Sequence, residues 1–283
     1  MRDAVRPLTD DDRDAVLTLL RPTEERSTFL IGNAMEAGIT DRGGARNGPW
    51  FGAFEGERLV GVAAYAKGPE SLLVAPGGHA RALLAAMAAA GVRPAMVLGT
   101  QDRIDEALAA LPSSWRVTAR KRETLMVLRW DRRVTAPPPR RAAVIELATH
   151  AHAPDAARLL DHLSVTSGLP RTGAQNLARA ERMAEQGTGV VATLDGRAVS
   201  MSSRAASTGR LVHVGATATD PAFQRLGLAG ACVDRVLDDA RAAGLARDGA
   251  VLFTGETNTS AIRLYERLGF RHESWFDIVL VRT

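Results

Sequence analysis

The stretch "VLFTGETNTSAIRLYERLGF", Val251–Phe270, reads as a buried strand, a polar turn and a short helix ending in Leu-Gly-Phe. Asn258 stands at the mouth of that helix, where an Asn side chain accepts from the first free amides. Tyr265 follows seven residues later and has two readings: a core aromatic packed beside Leu264 and Phe270, or a phenol held for chemistry.

Upstream, "VGATATDPAFQRLGLAG" (Val214–Gly230) reads as a strand, an Asp220-Pro221 turn and a glycine-punctuated loop opening into a helix. The loop residues Gln224-Arg225-Leu226-Gly227-Leu228-Ala229 form a short pattern that chance also produces. "RLVGVA" at Arg58–Ala63 and "RAAGLA" at Arg241–Ala246 match it equally well. Context separates them, because only the Gln224 match follows a strand and a turn and enters an amphipathic helix. That helix, "LAGACVDRVLDDARAAG", places Cys232, Val233, Val236, Leu237 and Ala240 on one face. Its first amides lack partners and sit at the positive end of the helix dipole. Gly227, Ala229 and Gly230 carry little or no side chain, so an anion could approach several amides at once. A tight strand–helix connection is the competing reading, and local context leaves both open.

Together the two segments resemble the acetyl-CoA-binding core of the GNAT superfamily of N-acetyltransferases. The likeness is strongest from the strand before the loop to the end of the chain. The resemblance implies that the pyrophosphate of acetyl-CoA is held at Gln224–Gly230, by the amides of Arg225, Leu226, Gly227, Leu228, Ala229 and Gly230. It further implies that the backbone of Thr217, Ala218 and Thr219 pairs with the pantetheine arm, that Asn258 contacts the same arm, and that Tyr265 protonates the departing thiolate. His213 lies eleven residues before Gln224, where histone-acetylating relatives carry a glutamate base. An imidazole suits that task, although a structural His with deprotonation through water is the alternative, and Glu256 and Asp220 are further base candidates. Period-two alternation places His213, Gly215, Thr217 and Thr219 on one strand face. The resemblance implies no metal.

The chain repeats itself. Val5–Leu8 and Val144–Leu147 are short β-like runs, and Ile145 lies 140 residues after Val5. "WFGAFEGERLVGVAAYA" and "VVATLDGRAVSMSSRAA" are both hairpins, with Gly196 also 140 residues after Gly56. The offset then grows to 154 between Val97-Leu98 and Val251-Leu252, so the first half lacks the loop. Between them "DRRVTAPPPRR" reads as a polyproline linker. The expected domains are 1–133, a degenerate GNAT-like copy; 134–141, the linker; and 142–283, the acetyl-CoA-binding domain. Each is an α/β domain with a mixed, mostly antiparallel sheet flanked by helices, without the regular alternation of a Rossmann fold. In the first half, the helix after Pro76-Gly77-Gly78 lacks the shaped turn, and "GTQDRIDEALAAL" supplies neither the Asn nor the Tyr. That domain is expected not to bind acetyl-CoA productively.

Composition narrows the alternatives. The net charge of +4 comes almost entirely from scattered arginines, with Lys67 and Lys121 the only lysines, which is a weak nucleic-acid footprint. Cys232 is the only cysteine, so no intrachain disulfide and no Cys-based zinc site is available. No stretch has the length and apolarity of a membrane span or signal peptide, so a cytoplasmic monomer or homodimer is expected. The expected function is transfer of an acetyl group from acetyl-CoA to a primary amine of a small molecule or peptide, at one site in the C-terminal domain. The rivals are a non-enzymatic CoA-binding sensor and a GNAT acting on a thiol-metabolism amine such as a mycothiol precursor. For the acceptor, Arg171, Arg179 and Arg182 are either ligands for an acidic group or solvated helix residues. Trp275 and Phe276 line a pocket or pack a seam.

Overall fold

The computed structural model describes residues 4–44, 47–68, 71–75, 79–169 and 171–283. Its strands and α-helices run, in chain order, β1 (Ala4–Pro7), α1 (Arg13–Leu20), α2 (Glu24–Glu36), β2 (Trp50–Glu55), β3 (Arg58–Ala66), β4 (Ser71–Val74), α3 (Ala80–Ala89), β5 (Met96–Thr100), α4 (Gln101–Leu108) and β6 (Arg116–Arg129). The second half continues with β7 (Val144–Leu147), α5 (Ala153–Ser167), α6 (Gly173–Glu185), β8 (Gly189–Leu194), β9 (Arg197–Ser207), β10 (Gly209–Thr219), α7 (Leu228–Ala242), β11 (Ala246–Gly255), α8 (Thr259–Arg267) and β12 (Arg271–Arg282). No helix of the described residues is long and apolar enough to cross a membrane. Contacts divide the chain into two units, Met1–Leu125 with Glu273–Thr283, and Met126–His272.

In the first unit the strands are ordered β1-β2-β3-β4-β5-β12-β6, antiparallel from β1 to β4 and parallel between β4 and β5. One core cluster gathers Leu72, Leu83, Leu84, Met87, Ile104 and Val279, and another gathers Val16, Leu20, Ile31, Trp50 and Val62. In the second unit β7-β8-β9-β10 are antiparallel neighbours and β10 runs parallel to β11. The same order of elements in both units reproduces the duplication, and the Asp195-Gly196 hairpin turn takes the doubly left-handed form (φ 50° and 76°) that Asp-Gly favours. The face of α7 expected to be apolar is buried, with Cys232, Val233 and Leu237 fully enclosed. Enclosure pushes the Cys232 thiol up to about 12, which leaves it an inert packing group.

The expected boundaries need three corrections, the first being that residues 126–133 belong to the second unit rather than to 1–133. Residues 273–283 belong to the first unit rather than to 142–283. Strand β12 pairs with β5, Phe276 opposite Thr100 and Leu280 opposite Met96. Its Asp277, wholly buried, receives Arg120 Nε at 2.7 Å, with Arg122 Nε at 3.7 Å, both from β6. A buried carboxylate needs such partners, and β6 supplies both. Trp275 and Phe276 accordingly lie in the first unit, Trp275 beneath the Arg122 guanidinium at 5.8 Å.

The proline segment is likewise no free linker. Val134 N donates to Leu268 O (3.1 Å), Ala136 N to Asp234 Oδ2 (3.2 Å) and Arg140 N to Leu226 O (2.9 Å). Arg133 bridges Asp234 (2.8 Å) and Asp238 (2.7 Å) on α7. The three prolines have no amide to donate, so the flanking amides tie the segment down as a strap over the start of α7. Gly269, the glycine of Leu-Gly-Phe, is required here: its φ is 100°, and a Cβ would overlap the Arg132 carbonyl.

Glu123 on β6 carries an energetic consequence. Its carboxyl makes no hydrogen bond among the described residues, and burial pushes its pKa up to about 7 against the partial opposition of Lys121. A carboxylate whose folded pKa exceeds its unfolded value makes the fold less stable as pH rises through that window. The destabilisation is absent below about pH 4 and complete above about pH 7, on the order of 3 kcal/mol. Glu123→Gln should therefore raise unfolding stability at pH 8 and flatten its pH dependence, measured by denaturant titration. Equal stability at pH 8 would contradict the assignment.

Candidate functional site

Strands β10 and β11 are parallel neighbours only to the rung His213–Val251, and no pairing between them continues beyond it among the described residues. On its other edge β10 stays paired to β9 as far as Thr219 opposite Ser200. The β11-facing backbone edge of β10 is therefore released along its last residues, Thr217–Thr219 among them, leaving an opening between two parallel strands. Ala216 lies within it with φ 47°, and the β9 register shifts between Gly215 and Ala218. Such a bulge inserts a residue and reverses the facing of the residues after it.

The reversal corrects the expected face. Val212 and Val214 pack in the cluster that contains α7, whereas Ala216 and Ala218 pack in the cluster that contains α5. His213 thus faces the α5 side. Thr217 and Thr219 face the α7 side, bonded to Ser202 Oγ (3.0 Å) and Ser200 Oγ (2.7 Å). A single face through His213, Thr217 and Thr219 holds only for an unbroken strand. His213 is buried, its ring 5.2 Å from that of Phe253 on β11.

Beyond β10, Asp220 turns the chain. Its carboxylate accepts from Ala222 N (3.0 Å) and pairs with Arg158 of α5 (2.6 Å), which together hold its pKa below the usual range and make it a poor base. The loop then anchors itself through side chains: Phe223, Leu226 and Leu228 enter the α7 core cluster while the intervening backbone stays outside. Arg225 and Gly227 adopt left-handed φ of 62° and 85°. The first helical bond runs from Ala231 N to Gly227 O (3.1 Å). Among the described residues, the amides of Arg225, Leu226, Gly227, Leu228, Ala229 and Gly230 have no hydrogen-bond acceptor, and α7 has no acidic residue in its first turn. Gln224 and Arg225 are exposed.

The glycines divide the work. Gly227 needs its left-handed φ, and a Cβ there would stand 3.4 Å from Pro139 Cα. A Cβ on Gly230 would meet Leu264 (3.4 Å) and Ala136 (3.5 Å), ordinary contact distances, so the strap and α8 lie close against this glycine. Leu264 and Ala136 thereby place α8 and the strap against the first turn of α7. On α8, the Asn258 side chain caps the helix, accepting from Ala261 N (3.3 Å) and Ser260 Oγ (3.0 Å). Tyr265 is buried, edge-on to Phe270 at 5.9 Å. Glu256 is exposed just past the end of β11.

The corresponding helix of the first unit differs in kind. Pro76-Gly77-Gly78 lies outside the described residues, but the first amide of α3, Ala80 N, donates to Glu106 Oε1 (3.0 Å). Arg103 holds that carboxylate from its other oxygen (2.7 Å). An internal carboxylate stands where an anion would meet the helix, a plug that the sequence alone does not reveal. Its signal is visible there only as an acid at one position of α4, with nothing to aim it.

No group of His, Cys, Asp and Glu suited to a metal occurs among the described residues. Residues 157–270 match the acetyltransferase (GNAT) family model. No protein of curated function matches the sequence. Similar solved structures include a tandem GNAT protein from the clavulanic acid biosynthesis pathway, 17% identical with TM-score 0.61 over 99% of this chain and 97% of that one. A GCN5-related N-acetyltransferase from Sphaerobacter thermophilus is 14% identical, with TM-score 0.62 over 99% and 95%. A Drosophila protein is 16% identical, with TM-score 0.66 over 99% of both chains. At such identities the structural likeness carries the fold alone, and the family match covers residues 157–270.

The strap is testable apart from any ligand. Asp234→Ala removes the acceptor of Ala136 N and one partner of Arg133, whose side chain is only 11% exposed. Stability should fall by about 2 kcal/mol, less than for a fully stripped pair because Asp238 remains. Denaturant unfolding reads it directly, and an unchanged midpoint would show the strap to be merely lying on α7.

Proposed function

We propose that this chain, a tandem GNAT-fold protein whose residues 157–270 form a GNAT acetyltransferase domain, moves an acetyl group from acetyl-CoA to a primary amine at one site in its second unit. The observation that carries the reading is the contrast between two equivalent helices. The first turn of α7 has open amides beside released strand edges, whereas that of α3 is stoppered by Glu106. An anion at α7 gains both hydrogen bonds and the helix dipole.

The residues fit the coenzyme. The amides of Arg225–Gly230 would hold the pyrophosphate, the free backbone edge at Thr217–Thr219 would pair with the amide-bearing arm, and Asn258 would reach the same arm while still capping α8. Bound there, acetyl-CoA supplies an acetyl thioester. Orientation then comes from the chain, with both substrates held together and a strand amide offered to the thioester oxygen. His213, buried on the α5 side, accepts the amine proton directly or through water. Tyr265, its ring fixed by Phe270, gives its phenolic proton to the sulfur.

Tyr265→Phe keeps the ring packing and removes only the hydroxyl. With any accepted amine, turnover should fall roughly 100-fold while the KM for acetyl-CoA stays the same. Release of free thiol measures it. An unaltered rate would remove Tyr265 from the mechanism, and saturable binding with no thiol release from any amine would select a CoA-binding module instead.

A further inference from the structure

Strand β9 carries the run Ser200-Met201-Ser202 beneath α7. Met201 packs in the cluster that contains α5, so Ser200 and Ser202 face the other side, where the Cys232 thiol of α7 lies against Ser200. Both serines are wholly buried. On the same side the neighbouring strands present apolar residues, Val190 on β8 and Val212 and Val214 on β10. The fold itself does not require hydroxyls there, because replacing both partners of a buried hydrogen bond by apolar groups of like shape is close to neutral.

The partners are the two threonines of β10. Ala216, with its left-handed φ, turns Thr217 and Thr219 to this side, away from the face of His213. A hydroxyl has one proton to give and two lone pairs. Ser200 Oγ lies 3.1 Å from Ala218 O and 2.7 Å from Thr219 Oγ1. A carbonyl only accepts, so both contacts are made when Ser200 donates to Ala218 and Thr219 donates to Ser200. That uses the Thr219 proton. Ser202 Oγ has one partner among the described residues, Thr217 Oγ1 at 3.0 Å. A wholly buried hydroxyl leaves its proton unsatisfied unless that partner takes it. Thr217 is therefore the acceptor, and its own proton has no acceptor among the described residues. Thr217 is half-buried, on the stretch of β10 released from β11. Of the four hydroxyls it alone has a proton left to give, and it stands at the opening.

We propose that the Thr217 hydroxyl, held by Ser202, donates to a carbonyl oxygen on the amide-bearing arm of the acyl donor, so that the side chain of this residue and not only its backbone binds the coenzyme. Ser202 is a positioning residue, which engages a lone pair of Thr217 and touches no ligand. An uncharged hydroxyl suits a neutral amide carbonyl, whereas the charged pyrophosphate has the end of α7. The assignment rests on the reading of acetyl-CoA as the donor.

Calorimetric titration of acetyl-CoA, with thermal unfolding of each free protein, compares the unmodified protein with Thr217→Val, Thr217→Ser and the double variant Thr217→Val, Ser202→Ala. Thr217→Val should weaken acetyl-CoA binding roughly tenfold and lower the unfolding temperature, because the Ser202 proton loses its acceptor. Thr217→Ser keeps the hydroxyl and should bind within about twofold of the unmodified protein. Adding Ser202→Ala to Thr217→Val removes the stranded proton, so the unfolding temperature should recover while binding stays roughly tenfold weaker. Affinity that recovers together with stability would make the hydroxyls structural and overturn the proposal, as would a Thr217→Val protein that binds acetyl-CoA normally. ADP carries a pyrophosphate without the arm, and it should bind the unmodified protein and Thr217→Val alike. An equal loss on ADP overturns the arm as the partner. No binding of acetyl-CoA by the unmodified protein is a separate failure, that of the donor reading, and the hydroxyl assignment falls with it.

Discussion

The first turn of an α-helix presents amide hydrogens that the helix itself cannot satisfy, and in this chain two equivalent helices resolve that deficit in opposite ways. In the first unit Glu106 reaches the first amide of α3, and Arg103 steadies the carboxylate. In the second unit the loop before α7 turns Phe223, Leu226 and Leu228 toward the core, and its amides have no acceptor among the described residues. Everything else in the second unit is arranged around that exposed end. The bulge at Ala216 and the release of β10 from β11 open a backbone edge leading to it, α8 packs its Leu264 against Gly230, and the strap closes the side with Pro139 and Ala136. One duplicated framework thus gives one helix start met by a carboxylate and one whose first amides have no acceptor among the described residues.

Much of this was legible in the residues. The hairpins, the strand–loop–helix at Gln224 and the apolar face of α7 follow from periodicity and turn chemistry, which are local properties. The repeat at an offset of 140 residues emerged because the two copies keep the same order of elements. The hidden part was non-local. Nothing in the alternation of "SWFDIVLVR" says that β12 completes the first unit. That depends on Asp277 needing Arg120 and Arg122, more than 150 positions away. The three prolines correctly announce an extended segment, but only the carbonyls of Leu226 and Leu268 and the carboxylate of Asp234 turn it from a tether into a strap.

The site residues divide along the same line. The loop enters α7 and Asn258 caps α8 as local spacing implied, because caps and tight turns are encoded within a few residues. The strand face was misread because a bulge is a single-residue event that period-two counting passes over: Ala216 separates His213 from Thr217 and Thr219. Asp220 is weakened as a base by its ion pair with Arg158, a partner from another helix. Leu264 of α8 packs against Gly230, a neighbour that the sequence does not reveal. Arg171 lies half-buried just before α6 rather than on a solvated helix face.

The central claim is that α7, and not α3, is the chain's one anion-accepting helix end for the coenzyme. Calorimetric titration of acetyl-CoA into the protein, counting sites, addresses it most directly, with Gly227→Glu placing a carboxylate side chain at the mouth of the loop. The predicted result is one site that disappears in Gly227→Glu. Two sites would contradict the plug at Glu106, and no binding by the unmodified protein would reduce the Gln224–Gly230 loop to a tight turn.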